Sequence, residues 1–301
     1  MAARDKAGDG AANTFTIPLV NDQHAEGNET FNVTLSAPSG VSLGDIASAT
    51  ITIQDNSNDA IGGSNPIEGV RFYISQQYLD FLGRLPDETG LLNWTHTLGT
   101  CPDGGYGTAN PTCDRIHIAK STFQSEEFQT RGYWAYRFYE VAFSRRPTYA
   151  EFTPDMASVG GRRSPLEEAQ SKQQYTSEFV LRAEFTQKYA ALSDPAQYVD
   201  ALLVSAGVPQ LASRNALIEA LRSGQQTRAE VLREIVEARE VEAKFYTRGF
   251  VSMMYYGFLR RDPDAVGFEN YVRKLDAAWD PRAVTFDFIY STEYLGRFGK
   301  P

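Results

Sequence analysis

The sequence predicts a mainly α fold, in which an all-α repeat domain of helical hairpins follows a small antiparallel β segment. One motif occurs twice, at residues 78–98 and again at 255–275, and such self-similarity is typical of a repeat architecture. Residues 14–55 instead alternate apolar and polar side chains with the period of strands. We therefore expect a β segment at 1–57, a small-polar linker at 58–68 and the repeat domain at 69–301.

Three short stretches of the N-terminal region are predicted strands. They read TFTIPLV, FNVTLSA and ATITI, and turn-rich segments separate them. Three strands are too few to bury both faces of a sheet. Unpaired strand edges accept strands from other chains, so the segment predicts self-assembly into a homo-oligomer or polymer, or docking of another protein.

Each copy of the repeated motif predicts two helices joined by a tight turn. Gly83 is suited to end the first helix, Pro86 prevents its continuation, and Asp87 is a good N-cap for the second helix. Gly90 is expected where a side chain would block close packing. The motif residues of the two copies are Arg84, Pro86, Asp87, Gly90 and Trp94, and Arg261, Pro263, Asp264, Gly267 and Tyr271.

The second half of each copy is predicted as a helix that ends in a Ser-x-Glu-aromatic signature. Two degenerate copies lie between the clear ones, around residues 139–147 and 202–209. The repeated glutamate occurs at Glu127, Glu184, Glu240 and Glu293. Four helical-hairpin units at this even spacing predict a compact array that stacks unit on unit.

Composition excludes several classes of function. The net charge is −9 and no basic stripe is present, which argues against nucleic acid or an anionic membrane as the partner. No apolar run is long enough to span a bilayer, and the N-terminus lacks the pattern of a signal peptide. The chain has three histidines and no G-x-S-x-G motif, so we expect it not to be an enzyme.

Two cysteines, Cys101 and Cys113, flank a Gly/Pro/Asn-rich stretch that the second copy of the motif lacks. A disulfide between them would close a short loop and contribute about 2–3 kcal/mol. Unpaired thiols and a metal site are the alternatives, although His96 and His117 lack zinc-ligand spacing. A disulfide would place the protein in an oxidising compartment outside the cytoplasm.

The string VNDQHAEGNETFNVTLSAPSG, followed by ATITIQDN, resembles the C-terminal half of a Calx-beta domain. The resemblance implies part of an immunoglobulin-like sandwich whose end loops bind calcium. By position, it assigns the ligands Asp22, Glu26 and Asp55; the alternative is that these three are solvated acids of turns that bind no metal. The sequence departs from the family at Asn56 and Ser57, where further acids are usual, and calcium prefers six to eight oxygen ligands.

The helical part resembles the bacterial domain of unknown function 4214, which is itself similar to the phycobilisome linker domain. The resemblance rests on YLDFLGRLPDETGLLNW and on the closing STEYLGRF, and it covers about residues 69–300. This family accompanies large secreted and adhesin-like proteins and has no established catalytic activity. It implies a bacterial protein that is extracellular or on the cell surface.

Two groups of recurring residues have alternative interpretations. Arg84, Arg145 and Arg261 would either clamp a ligand or, as we favour, bridge each turn to helix carbonyls or to the repeated glutamate. The aromatic residues would either stack on sugars or pack in the core, and their helical spacing favours the core. The aromatic residues in question are Trp94, Tyr133, Trp134, Tyr255 and Tyr256.

Taken together, the sequence predicts a non-enzymatic surface module that mediates protein–protein assembly in a surface layer, adhesin or filament, with calcium as a cofactor of the β segment. The alternative is a protein that binds or acts on surface carbohydrate through the Cys101–Cys113 loop and exposed aromatics such as Trp94. A cytosolic scaffold would require both cysteines to be reduced.

Overall fold

The computed structural model describes residues 29–34, 48–53, 65–106, 110–160 and 164–299. The chain divides into two compact parts, Met1–Gly63 and Ser64–Pro301, and this division falls within the predicted linker. The predicted strand at 14–20 and the proposed calcium ligands Asp22, Glu26 and Asp55 lie outside the described residues.

In the first part, two strands form an antiparallel hairpin. Strand β1 is Glu29–Thr34 and strand β2 is Ser48–Ile53, and their register places Phe31 opposite Ile51. Alternation then gives the hairpin one apolar face and one polar face. On the polar face the Thr50 hydroxyl donates to Asn32 Oδ1 over 2.7 Å.

Across its described residues the second part is built from helices, as the sequence predicted, and we group these helices by the four predicted repeat units. Short 3-10 turns lie at Pro66–Glu68 and Pro102–Gly105, and a π-helical segment spans Met254–Leu259. Unit 1 contains α1 (Val70–Leu82), α2 (Glu88–Gly99), α3 (Arg115–Gln124) and α4 (Glu126–Thr130). Unit 2 contains α5 (Gly132–Phe143), α6 (Tyr149–Val159), α7 (Pro165–Phe179) and α8 (Ala183–Tyr189). Unit 3 contains α9 (Pro195–Ala206), α10 (Arg214–Arg222), α11 (Arg228–Val236) and the first turns of α12 (Arg239–Met253), where Glu240 lies. Unit 4 contains the rest of α12, α13 (Ala265–Ala277), α14 (Pro281–Ile289) and α15 (Thr292–Gly296).

A helix ends at the Ser-x-Glu signature and a short new helix starts there. Helix α3 ends at Gln124, directly before Ser125. Ser125 accepts a hydrogen bond from the Phe128 amide and caps α4, and Ser291 caps α15 through the Tyr294 amide in the same way. The short new helix was not predicted, although a serine side chain is well suited to satisfy the free amides at its start. Each clear unit thus has three full helices and a short fourth.

Units 1 and 4 share one hydrophobic core, and units 2 and 3 share another. The pairing differs from the expected stacking in chain order. Helix α5 connects the two cores, since Tyr133 and Tyr136 face the first and Trp134 and Phe138 face the second. All residues of α5 from Gly132 to Ala142 are buried, including the charged Arg137 and Glu140.

Equivalent residues of units 1 and 4 meet in their shared core. The rings of Phe81 and Phe258, which occupy the same position in the two copies of the motif, lie edge to face with centroids 5.0 Å apart. Gly257 admits this contact, because a Cβ atom there would lie 2.8 Å from the Phe81 ring. Among the described residues, no helix has the length and apolar character that crossing a membrane requires.

We predict that Phe81→Ala lowers the free energy of unfolding by about 3–5 kcal/mol, because Phe81 is buried between the two units and the substitution leaves a cavity. Leu92→Ala, at an exposed position of α2, is the control and should change stability by less than about 0.5 kcal/mol. Urea unfolding measures both. Equal effects of the two substitutions would contradict the assignment of this core.

Candidate functional site

The recurring arginine of units 1, 2 and 4 binds the recurring glutamate of the same unit. In unit 1, Arg84 Nε and Nη2 donate to the two carboxylate oxygens of Glu127 over 2.9 and 2.6 Å. The third nitrogen, Nη1, donates to the carbonyl oxygen of the next residue, Leu85, over 3.0 Å. The same bonds recur from Arg145 to Glu184 and the Arg146 carbonyl, and from Arg261 to Glu293 and the Asp262 carbonyl.

A tyrosine completes each of these arginine turns. The Arg84 guanidinium lies 5.1 Å from the centre of the Tyr78 ring, a favourable cation–π distance. A Cβ atom on Gly90 would lie 2.9 Å from the Tyr78 hydroxyl, which explains this glycine. The same contact joins Arg145 to Tyr139 and Arg261 to Tyr255. The turns therefore use their arginines to hold the fold, as the favoured interpretation expected.

The predicted N-caps are present as well. Asp87 accepts a hydrogen bond from the Gly90 amide over 2.8 Å, and Asp264 accepts one from the Gly267 amide over 2.7 Å. In unit 2, Thr148 takes this place and forms a capping box with Glu151. The bond to Arg145 and the cap bonds from Thr148 outweigh the effect of burial and lower the pKa of Glu151 to about 2.

A second basic position lies four residues after each repeated glutamate, and the sequence analysis did not recognise that it recurs in all four units. In three units this basic side chain binds carbonyl oxygens at the C-terminal end of the unit's first helix. The helix dipole favours a positive charge at that end. Arg131 instead bridges Glu127 and Glu168. The carbonyl bonds run from Lys188 to Ala142, from Lys244 to Gly207, and from Arg297 to Gly257 and Phe258.

Arg297 also binds a buried carboxylate from unit 1. The Asp80 side chain is fully buried, and Arg297 donates to its two oxygens over 3.1 and 2.9 Å. Gln76 donates to Asp80 over a further 2.9 Å. Arg297 thus neutralises the carboxylate and, together with Gln76, gives both of its oxygens hydrogen bonds, which a buried charge requires.

Beside Asp80, a surface groove of about 240 Å³ lies between α1, α6 and the π-helical segment. Its walls are apolar and aromatic, and its rim is exposed at Thr153 and Ala157. Among the residues that line it, the charged ones are Asp80 and Arg260. The wall side chains are Leu79, Tyr149, Phe152, Met156 and Tyr256.

Arg260 has an unusual backbone conformation at the end of this groove. Its φ of 51° is left-handed, a conformation that costs a residue with a side chain about 1–2 kcal/mol. Units 1 and 3 have Gly83 and Gly207 at the equivalent position, where the cost is absent. The π-helical segment immediately before Arg260 is a second irregularity, and such segments are frequent at functional sites.

The Arg260 side chain contributes little to the scaffold. It is 52% exposed, and its contact with Asp80 is a long one of 3.3 Å to an oxygen that Arg297 and Gln76 already bind. The sequence contains no sign of a site here. Arg260 is not one of the recurring residues but the neighbour of one, Arg261. The groove itself forms between units that are distant in the chain.

The cysteines lie in the loop that unit 1 adds to the repeat. A disulfide joins Cys101 to Cys113, with Cα atoms 5.6 Å apart. Next to it, the buried Arg115 donates to the Ile67 and Glu68 carbonyls, so this loop is tied to the start of the helical domain. Burial lowers the pKa of Arg115.

The aromatic residues have the core role that their spacing favoured. Tyr133, Trp134, Tyr255 and Tyr256 are buried, while Trp94 is half-buried with its ring 5.9 Å from that of His117. Tyr271 packs against Phe288 in the shared core of units 1 and 4. Within the described ranges, no three or more His, Cys, Asp or Glu side chains are grouped as a metal ion would require, and the proposed calcium ligands lie outside those ranges.

The sequence matches no family model, and neither the curated proteins nor the solved structures include a match to it. The resemblances to the Calx-beta domain and to domain of unknown function 4214 therefore stay predictions.

A buried glutamate gives the domain a testable pH dependence. Glu140 of α5 accepts a hydrogen bond from the Tyr136 hydroxyl over 2.6 Å, and Arg248 lies 3.7 Å away. Burial raises the pKa of Glu140. The Glu140 carboxyl group therefore stays protonated to a higher pH in the folded state than in the unfolded state. As the pH rises above about 4, its ionisation lowers the free energy of unfolding.

We predict that Glu140→Gln stabilises the protein relative to wild type, and that this gain grows between about pH 4 and pH 7. Glutamine still accepts the tyrosine hydrogen bond but carries no buried charge. Urea unfolding at several pH values measures the gain, with Glu219→Gln on the exposed face of α10 as the control. A gain that shrinks as the pH rises would contradict the assignment.

Proposed function

We propose that this chain is a non-enzymatic, extracytoplasmic module that mediates protein–protein assembly through its β segment, with calcium assisting at Asp22, Glu26 and Asp55. The observation that carries the proposal is the apolar face of the β1–β2 hairpin. Within the described part of the chain, β1 and β2 pair only with each other, and a two-stranded hairpin is marginally stable by itself.

The hairpin presents apolar side chains that an additional strand or sheet would cover. Ile51 is 41% exposed, and Phe31 and Val33 on the opposite strand are half-buried. A second copy of the chain could add a strand to the edge of the hairpin, where backbone groups would pair. Its own apolar face would then cover this one. Such an interaction suits a homo-oligomer, a filament or a surface layer.

Two further observations support a binding role over a catalytic one and a location outside the cytoplasm. The recurring Arg84, Arg261 and their glutamates engage each other, so the most distinctive charged residues of the sequence serve the scaffold. The Cys101–Cys113 disulfide suits an oxidising compartment. Both observations fit a surface or secreted bacterial protein.

Carbohydrate binding is the second candidate, and one exposed aromatic residue favours it. Trp279 is 47% exposed and packs against Tyr246, with ring centroids 5.5 Å apart. An exposed indole face is suited to stack on a sugar ring. Glycan binding that is lost in Trp279→Ala and kept in Trp94→Ala would place the sugar site at this position.

We predict that the chain forms dimers or larger species in about 1 mM calcium, as measured by light scattering. Ile51→Lys should abolish this growth, because it places a charge on the apolar face of the hairpin. Thr52→Lys is the matched control on the polar face and should assemble as wild type does.

Replacing Asp22, Glu26 and Asp55 by asparagine should remove the effect of calcium. A chain that stays monomeric with and without calcium would contradict the proposed assembly. Equal behaviour of Ile51→Lys and Thr52→Lys would contradict the choice of the hairpin face.

A further inference from the structure

We infer that the groove between α1, α6 and the π-helical segment binds a partner-protein segment in which an apolar side chain lies beside a carboxylate, and that Arg260 binds the carboxylate. This site lies on the helical domain. It is independent of the β segment through which the proposed assembly runs, so either proposal stands if the other fails.

The conformation of Arg260 is the first reason. Glycine occupies the equivalent position in units 1 and 3, whereas unit 4 places an arginine in the left-handed region. Unit 2 has Ser144 there, and its hydroxyl hydrogen-bonds the Ser205 carbonyl over 2.8 Å, so that side chain serves the scaffold. Arg260 makes only a long contact to an already satisfied carboxylate. A strained residue whose side chain adds little to the fold points to a function.

Charge is the second reason. Arg297 neutralises Asp80, the acidic residue that lines the groove. Because Arg260 and Arg297 share this single carboxylate, the three side chains keep a net positive charge at the end of an apolar groove, and the half-exposed Arg260 carries it to the surface. A guanidinium binds a carboxylate through two parallel hydrogen bonds, so the complementary ligand is an anion with an apolar part.

The size and opening of the groove favour a protein segment over a small molecule. Its volume of about 240 Å³ is below the roughly 300–1,000 Å³ of typical small-molecule sites. Leu79, Phe152, Met156 and Tyr256 surround room for one apolar side chain, and the exposed rim at Thr153 and Ala157 lets the flanking backbone continue across the surface.

The test is a titration of the full chain with a capped tetrapeptide that places a leucine beside a glutamate. Amide chemical shifts report binding by NMR. We expect saturable changes confined to residues near 79–83, 152–157 and 256–260. The same peptide with glutamine in place of glutamate should bind at least about tenfold more weakly, which is the order expected from losing a charge-assisted hydrogen bond.

Variants of Arg260 separate its charge from its conformation. Asparagine adopts the left-handed backbone conformation readily but has no positive charge. The Arg260→Asn variant should therefore bind the peptide at least about tenfold more weakly than wild type. Its melting temperature should equal or exceed that of wild type, which shows that the fold is intact. Arg260→Lys keeps the charge and should bind within about threefold to tenfold of wild type. Arg222→Gln, at an exposed position of α10, should change nothing.

Three results would overturn the inference. The first is the absence of saturable shift changes with the glutamate peptide. The second is equal affinity for the glutamate and glutamine peptides, or equal affinity of wild type and Arg260→Asn. The third is binding of free hexanoate as tight as that of the peptide, since the occupant would then be a small carboxylate and not a protein segment.

Discussion

The helical domain depends on the contact between its first and last repeat units. Arg297 makes one polar part of that contact, and the ion pair of Arg282 with the buried Asp114 makes another. Arg297 binds the buried Asp80 of unit 1 and the carbonyl oxygens of Gly257 and Phe258 in unit 4. It therefore compensates a buried charge and caps the end of a helix in the same place. Around it, Phe81 and Phe258 bring the two copies of the motif into direct contact. This contact links the two ends of the domain, and units 2 and 3 form the second core between them in the chain.

The repeat reuses one set of interactions and departs from it in one informative place. Arginine, glutamate and tyrosine form the same turn in units 1, 2 and 4, so their recurrence has a structural cause. Arg260 lies next to that turn in unit 4, where a glycine would suffice, and it faces a groove. In a repeat protein, a residue that departs from the shared pattern at a conformational cost is a better indicator of function than a residue that recurs.

Local features of the fold could be predicted from sequence because their causes are local. Gly83 and Asp87 ended and started helices as expected, and the Arg84–Glu127 pair followed from the recurrence of both residues. The pairing of unit 1 with unit 4 and the partner of Asp80 had no such signal, because they join residues far apart in the chain. The groove depends on that pairing and was missed for the same reason. The calcium assignment rests on Asp22, Glu26 and Asp55, which lie outside the described residues.

A double-mutant cycle on Asp80 and Arg297 tests the central claim, that the contact between units 1 and 4 closes the domain. Urea unfolding of Asp80→Ala, Arg297→Ala and the double variant gives the coupling free energy. Each single substitution should cost about 3–5 kcal/mol. Asp80→Ala leaves Arg297 without its carboxylate, and Arg297→Ala leaves the buried Asp80 with only Gln76 and the long contact to Arg260. The double variant should be more stable than the sum of the single effects implies, with a coupling of about 2 kcal/mol or more. Effects that add within about 0.5 kcal/mol would show that the two residues do not interact, and would contradict this account of the fold.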